Sequence, residues 1–111
     1  MIAHESHVSF NAEELGVLRS ALGEVTLGFE VSDFERTIGM HTADVRSLFL
    51  RLRSLGPTTQ GNLTPVEVRA ARNSLRETIR ELGEEEFQTR TGYDFNRGKA
   101  VLESLDRLSQ T

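Results

Sequence analysis

The feature that most limits what this chain can fold into is a stretch that it contains twice. Residues 19–39 read RSALGEVTLGFEVSDFERTIG, and residues 72–92 read RNSLRETIRELGEEEFQTRTG. An ungapped shift of 53 positions lays Arg19 on Arg72, Leu22 on Leu75, Glu24 on Glu77, Phe34 on Phe87 and Gly39 on Gly92. The same shift carries Glu14 to Glu67, Leu52 to Leu105 and Leu55 to Leu108. Helix caps, apolar spacing and glycine positions repeat together with the identities, which marks a duplicated structural unit. A unit of about 45–50 residues buries too little apolar surface to stand alone, so the halves must pack on each other. The expected architecture is therefore all-α and a single domain over residues 1–111. Units 10–55 and 63–108, joined by a linker at 56–62, each contribute a long, a short and a long helix.

Local signals set the helix boundaries. Asn11 followed by Glu14 is a capping box, and Leu15, Leu18, Leu22 and Val25 then recur at helical spacing, predicting a helix over 12–27 that stops at Gly28. Ser32 with Glu35 opens a short helix that buries Phe34 and Ile38 and ends at Gly39. Thr42 and Asp44 start a third, carrying Val45, Leu48, Phe49, Leu52 and Leu55 inward. The run SLGPTTQGNL, residues 54–63, reads as the joint. Thr64, Pro65 and Glu67 then open a helix over 65–82 with Val68, Ala71, Leu75, Ile79 and Leu82 inside, closed by Gly83. Glu84, Glu85 and Glu86 favour the start of the second short helix, which buries Phe87 and ends at Gly92. Asp94 or Asn96 caps the last helix, with Val101, Leu102, Leu105 and Leu108 inward. Gly98 in its first turn suggests a close backbone contact. Residues 1–9 are polar and are expected to fray.

Composition removes several classes of function. Net charge is −4, and no apolar run is long enough to cross a membrane. There is no cysteine, hence no disulfide and no thiolate nucleophile or ligand. The start, MIAHESHVSF, has no basic residues followed by a long apolar stretch, so no secretion signal is expected and the cytoplasm is the default location. His4 and His7 make an HxxH without a third ligand nearby, so no metal and no cofactor are expected. No glycine-rich phosphate loop, HExxH motif or nucleophile with its base is present, so the chain reads as non-catalytic.

Two sets of charged residues stand out. Arg69, Arg72, Arg76 and Arg80 recur at spacings of three and four, a ridge about 16 Å long on one helix face. It is the expected contact surface for a partner. Arg19 with Glu24 and Arg72 with Glu77 are the polar pairs that the duplication keeps. Five residues apart, they do not face each other on a helix, whereas reciprocal bridges, Arg19 to Glu77 and Arg72 to Glu24, would satisfy both across a pseudo-twofold axis.

The segment DFERTIGMHTADVRSLFLRL holds Phe34, Ile38, Gly39, Met40, Val45 and Leu48 in the apolar and turn positions of a short helix, a glycine turn and a second helix. Over these twenty or so residues it resembles the helix-turn-helix of bacterial regulators, with Glu35 where a small residue is usual. The resemblance implies that His41, Thr42 and Arg46 would face a DNA groove.

The primary expectation is a small cytoplasmic protein-binding module, an adaptor, inhibitor or immunity-type protein that acts by occupying another protein, with a homodimer left open. The alternative is a helix-turn-helix DNA-binding regulator, disfavoured by the acidic balance.

Overall fold

Two capping boxes fix where the long helices begin. The Glu14 N–H donates to the Asn11 side chain at 2.8 Å, and the Asn11 N–H donates to the Glu14 carboxylate at 2.9 Å. Thr64 and Glu67 repeat the exchange at 3.3 and 2.9 Å, with Pro65 in the first helical position. Each box satisfies backbone donors that a helix start leaves open. The computed structural model describes residues 1–56 and 59–108 of the chain; Pro57 and Thr58 of the expected joint lie outside them.

From these starts the described residues form five α-helices: α1 (Ala12–Gly23), α2 (Phe34–Ile38), α3 (Thr42–Leu55), α4 (Pro65–Thr91) and α5 (Phe95–Leu108). α1 packs on α4, α3 lies on α1, and α2 and α5 lie on α4. Ala21, Ala70 and Ala71 are fully buried, and such small side chains allow close helix approach. Leu18, Leu22 and Leu75, also fully buried, fill the space around them together with Leu52, Leu105 and Phe87. The radius of gyration is 12.6 Å, close to the value of about 13 Å expected for one compact domain of this length.

The chain is mostly helical, but the all-α expectation fails at three short strands. β1 (Ile2–Ala3), β2 (Val8–Phe10) and β3 (Gly61–Leu63) form an antiparallel sheet in that order. Val8 faces Leu63, Ser9 faces Asn62 and Phe10 faces Gly61. The start of the chain is thus held in a hairpin, and β3 takes up residues assigned to the linker. Val8 and Phe10 are buried while Ser9 between them is half-buried. That alternation is the sheet's sequence signature, but two or three residues are too few for it to be read. His4 and His7 lie in the hairpin turn with their rings stacked, centroids 4.5 Å apart.

Helix ends separate into those the sequence specifies and those packing decides. Gly39 and Gly92 adopt left-handed φ values of 93° and 79° and close their helices as expected. Gly83 breaks α4 with φ 72° and ψ −176°, so the span is two helical stretches meeting at a kink. Gly28 behaves differently. α1 continues into a π-helical turn, Glu24–Gly28, in which the Phe29 N–H reaches back five residues to the Glu24 carbonyl at 3.0 Å. The Thr26 hydroxyl donates to the carbonyls of Leu22 and Gly23 at 2.8 and 3.2 Å, competing with the regular backbone ladder. The expected Ser32 cap of α2 is absent: the residue before the helix is Asp33, at φ 50° with no side-chain cap bond. Asp94 caps α5, its carboxylate accepting from the Asn96 N–H at 2.9 Å. In the expected stripe of α3, Leu55 turns out to be 40% exposed.

Gly98 does make the close contact its position suggested. A Cβ there would lie 2.5 Å from Cζ of Phe87, whose ring is almost fully buried and meets Phe95 edge to face at 5.7 Å. Alanine improves helix propensity by about 1 kcal/mol, but the ring has no free volume to retreat into. Gly98→Ala is expected to destabilise the fold by about 1–3 kcal/mol, as typical overpacking does; equilibrium urea denaturation measures it.

Candidate partner-binding surface

The cap at Thr64 sets the phase of α4 and with it the direction of every side chain that follows. Because Ala70, Ala71, Ser74, Leu75 and Thr78 turn inward, the arginines between them turn outward. Arg69, Arg76 and Arg80 are exposed and Arg72 is half-buried. The four therefore share the outer side of the helix, but not one electrostatic condition. Arg76 pairs with Asp106 of α5 at 3.1 Å, and Arg80 pairs with Glu77 one turn earlier. Arg72 donates to the Asn73 side chain at 3.5 Å. Arg69 makes no ion pair among the described residues. Among the described residues, Arg69 is thus the exposed ridge arginine without a carboxylate beside it.

Beside that end lies a groove of about 330 Å³. Val8 of the sheet, Val66 and Val68 of α4, and Leu105 and Leu108 of α5 line it, and Arg69 and Arg72 stand at its edge. Val66 is 48% exposed, a large apolar side chain left in water at the start of a helix. The sequence did not point to this groove. Val66 belongs to no helical stripe, and Val8 comes close only through the sheet; the one local signal was an apolar residue directly after Pro65 on the same turn as Arg69.

The conserved-by-offset polar pairs find other partners than expected. Glu24 meets Arg90 at 2.7 Å, and Glu77 meets Arg80, so the reciprocal bridges to Arg72 and Arg19 do not form. Arg90 also donates to the Gly28 carbonyl at 3.2 Å. A Cβ on Gly28 would fall 2.2 Å from the Glu24 carboxylate and 2.6 Å from the Arg90 guanidinium. Glycine stands there to let an ion pair cross the backbone, not to supply a left-handed turn. A cleft lined by Glu24, Leu27, Phe49 and Arg90 surrounds the pair.

The residues of the helix-turn-helix resemblance do come to one place. His41, Thr42 and Arg46 are all exposed at the start of α3, after the left-handed Gly39. The Ala43 N–H donates to Nδ1 of His41 at 3.4 Å, which makes His41 the helix cap. α2 has five residues and packs on α4. On the outer face of α3, Leu50 is 50% exposed between Arg46 and Arg53. Among the described residues no group of three or more His, Asp or Glu side chains is placed to hold a metal ion, and no helix is long and apolar enough to cross a membrane.

Compared with models of protein families, with characterised proteins and with solved structures, the chain shows no significant match.

The Glu24–Arg90 pair is half sheltered and ties the end of α1 to the far stretch of α4. Gly28→Ala is expected to destabilise by about 1–3 kcal/mol through the clash. In an Arg90→Ala background the Glu24 side chain can swing aside, so most of that penalty should vanish. A double-mutant cycle by urea denaturation checks this, and strictly additive effects would refute the coupling.

Proposed function

We propose that this chain is a small, non-catalytic cytoplasmic protein that acts by occupying a partner protein. The observation that carries the reading is the conjunction at the start of α4: an apolar groove bordered, within one helical turn, by an exposed valine and an arginine without an ionic partner among the described residues. Protein interfaces combine a desolvated apolar centre with a polar rim, and arginine is enriched among the residues that dominate their energy. The far half of the ridge contributes less to this reading, since Arg76 and Arg80 already hold carboxylates.

The test is capture of the tagged protein from its source lysate with and without nuclease. The expected result is a near-stoichiometric protein companion that survives nuclease. Replacing Arg69 and Arg72 by glutamate should then weaken its binding by about tenfold or more, a loss of about 1.4 kcal/mol, while Arg46→Glu leaves it unchanged. The DNA-binding alternative draws support from His41, Thr42 and Arg46 standing exposed together. Companions lost on nuclease treatment, with DNA retention abolished by Arg46→Glu, would replace the first reading with that one.

We also infer that the chain arose as a tandem duplication around a pseudo-twofold axis. The offset of 53 carries Val8–Phe10 onto Gly61–Leu63, and these two strands pair with each other. Ser9 faces its own counterpart Asn62, and its hydroxyl donates to the Asn62 side chain at 2.9 Å. Val8 faces the counterpart of Phe10, and Phe10 faces the counterpart of Val8. A twofold axis through the middle pair requires that register. The clefts agree: Glu24, Leu27, Gly28 and Arg90 in one correspond to Glu77, Arg80, Glu81 and Thr37 in another. If the two sites are equivalent, exchanging the residues by Ser9→Asn with Asn62→Ser should change stability by no more than about 0.5 kcal/mol. A denaturation midpoint displaced well beyond that would argue for unrelated surroundings.

A further inference from the structure

We propose that the groove at the start of α4 receives a short acidic segment of the partner that presents an aliphatic side chain. The proposal rests on the protein-binding reading above and narrows it to one chemistry. The groove wall is branched aliphatic, from Val8, Val68, Leu105 and Leu108, and among the described residues no carboxylate lines it. Its volume of about 330 Å³ stands at the small end of ligand pockets, which begin at about 300 Å³. Among the described residues it is lined from α4, α5 and the sheet. A cavity of that size takes one or two side chains projecting from a chain.

The edge selects charge. Arg69 lines the groove, is exposed and makes no ion pair among the described residues, and the planar fork of arginine binds a carboxylate through two hydrogen bonds. The net charge of −4 opposes a long polyanion, whose phosphates would extend past this patch. A short acidic segment meets only the local field, because exposed charges more than about 8 Å away are largely screened at physiological salt.

The first half of the chain shows what a closed version of this site looks like. Under the 53-residue offset Val68 corresponds to Leu15, Val8 to Gly61 and Leu108 to Leu55. There Leu15 and Leu55 press on Gly61, with Leu15 only 2.8 Å from where a Cβ would be. Arg69 corresponds to Gly16, whose open side is taken by the Tyr93 ring. Cavity and cation therefore both sit where the two halves differ, so neither is a by-product of the shared helical frame.

The test measures fluorescence anisotropy of a short labelled peptide in which glutamates flank a pair of leucines, titrated with the full chain. Binding is expected for the wild type. Val68→Leu, which installs the residue found at the closed counterpart, should weaken it about tenfold by filling the groove. Arg69→Glu, at an exposed position, should weaken it at least as much, and circular dichroism melts on both variants verify that they are folded. A control peptide with serines in place of the leucines should bind at least about tenfold more weakly. The proposal is overturned by absence of wild-type binding, by equal binding of the serine peptide, or by full affinity in folded Val68→Leu. A concentration-dependent dimer in sedimentation that Val68→Leu dissolves would give the groove to a second copy and likewise overturn it. If a natural companion is captured equally well by wild type and both variants, this inference falls while the protein-binding reading stands. If wild type captures no protein, it is the wider reading that falls.

Discussion

Everything outward in this molecule depends on how closely α1 and α4 approach. Alanines 21, 70 and 71 and leucines 18, 22 and 75, all on these two helices, are fully buried, and small side chains let helices come close. The remaining helices are laid on this pair from outside, α3 on α1, α5 and α2 on α4. Each covers the core with one face and leaves the other to solvent. A larger residue at the crossing would separate the halves and move every outer element at once, because close-packed interiors transmit such changes instead of absorbing them.

That arrangement explains why the charged residues of α4 are not alike. Their direction is fixed by the cap at Thr64, but their surroundings come from whichever neighbour the crossing brings alongside. Arg76 meets α5 and its Asp106; Arg80 reaches back along its own helix to Glu77. Near the sheet the helix's outer side runs beside apolar surface, formed by Val8 and the end of α5. The molecule is acidic overall, yet its local potential is graded along one helix, and recognition depends on the local value.

The helices were largely legible in the sequence. Capping boxes at Asn11 and Thr64, the stops at Gly39, Gly83 and Gly92, and the buried leucines all follow from rules acting within a few residues. Apart from the Ser32 cap of α2, what failed was non-local or too short. β2 holds three residues, and its partner β3 lies far along the chain, so no window contains the pairing. Glu24 and Arg90 are likewise distant in sequence, and the offset that relates Arg19 to Arg72 could not reveal that Glu24 would take a cation from elsewhere. Gly28 was legible as important but not for the right reason: the need was room for an ion pair. The groove was illegible because its walls belong to three elements that meet only after folding.

The pairing of β2 with β3 has a kinetic consequence. It joins residues 53 apart, and closing a flexible loop of that size costs about 3–4 kcal/mol of chain entropy. Three backbone-paired residues return little against such a cost. The sheet therefore cannot guide the search for the fold; the helices, whose contacts are local or apolar, must first bring the strand positions together. The β2–β3 pairing is thus fastened after the helical body has assembled.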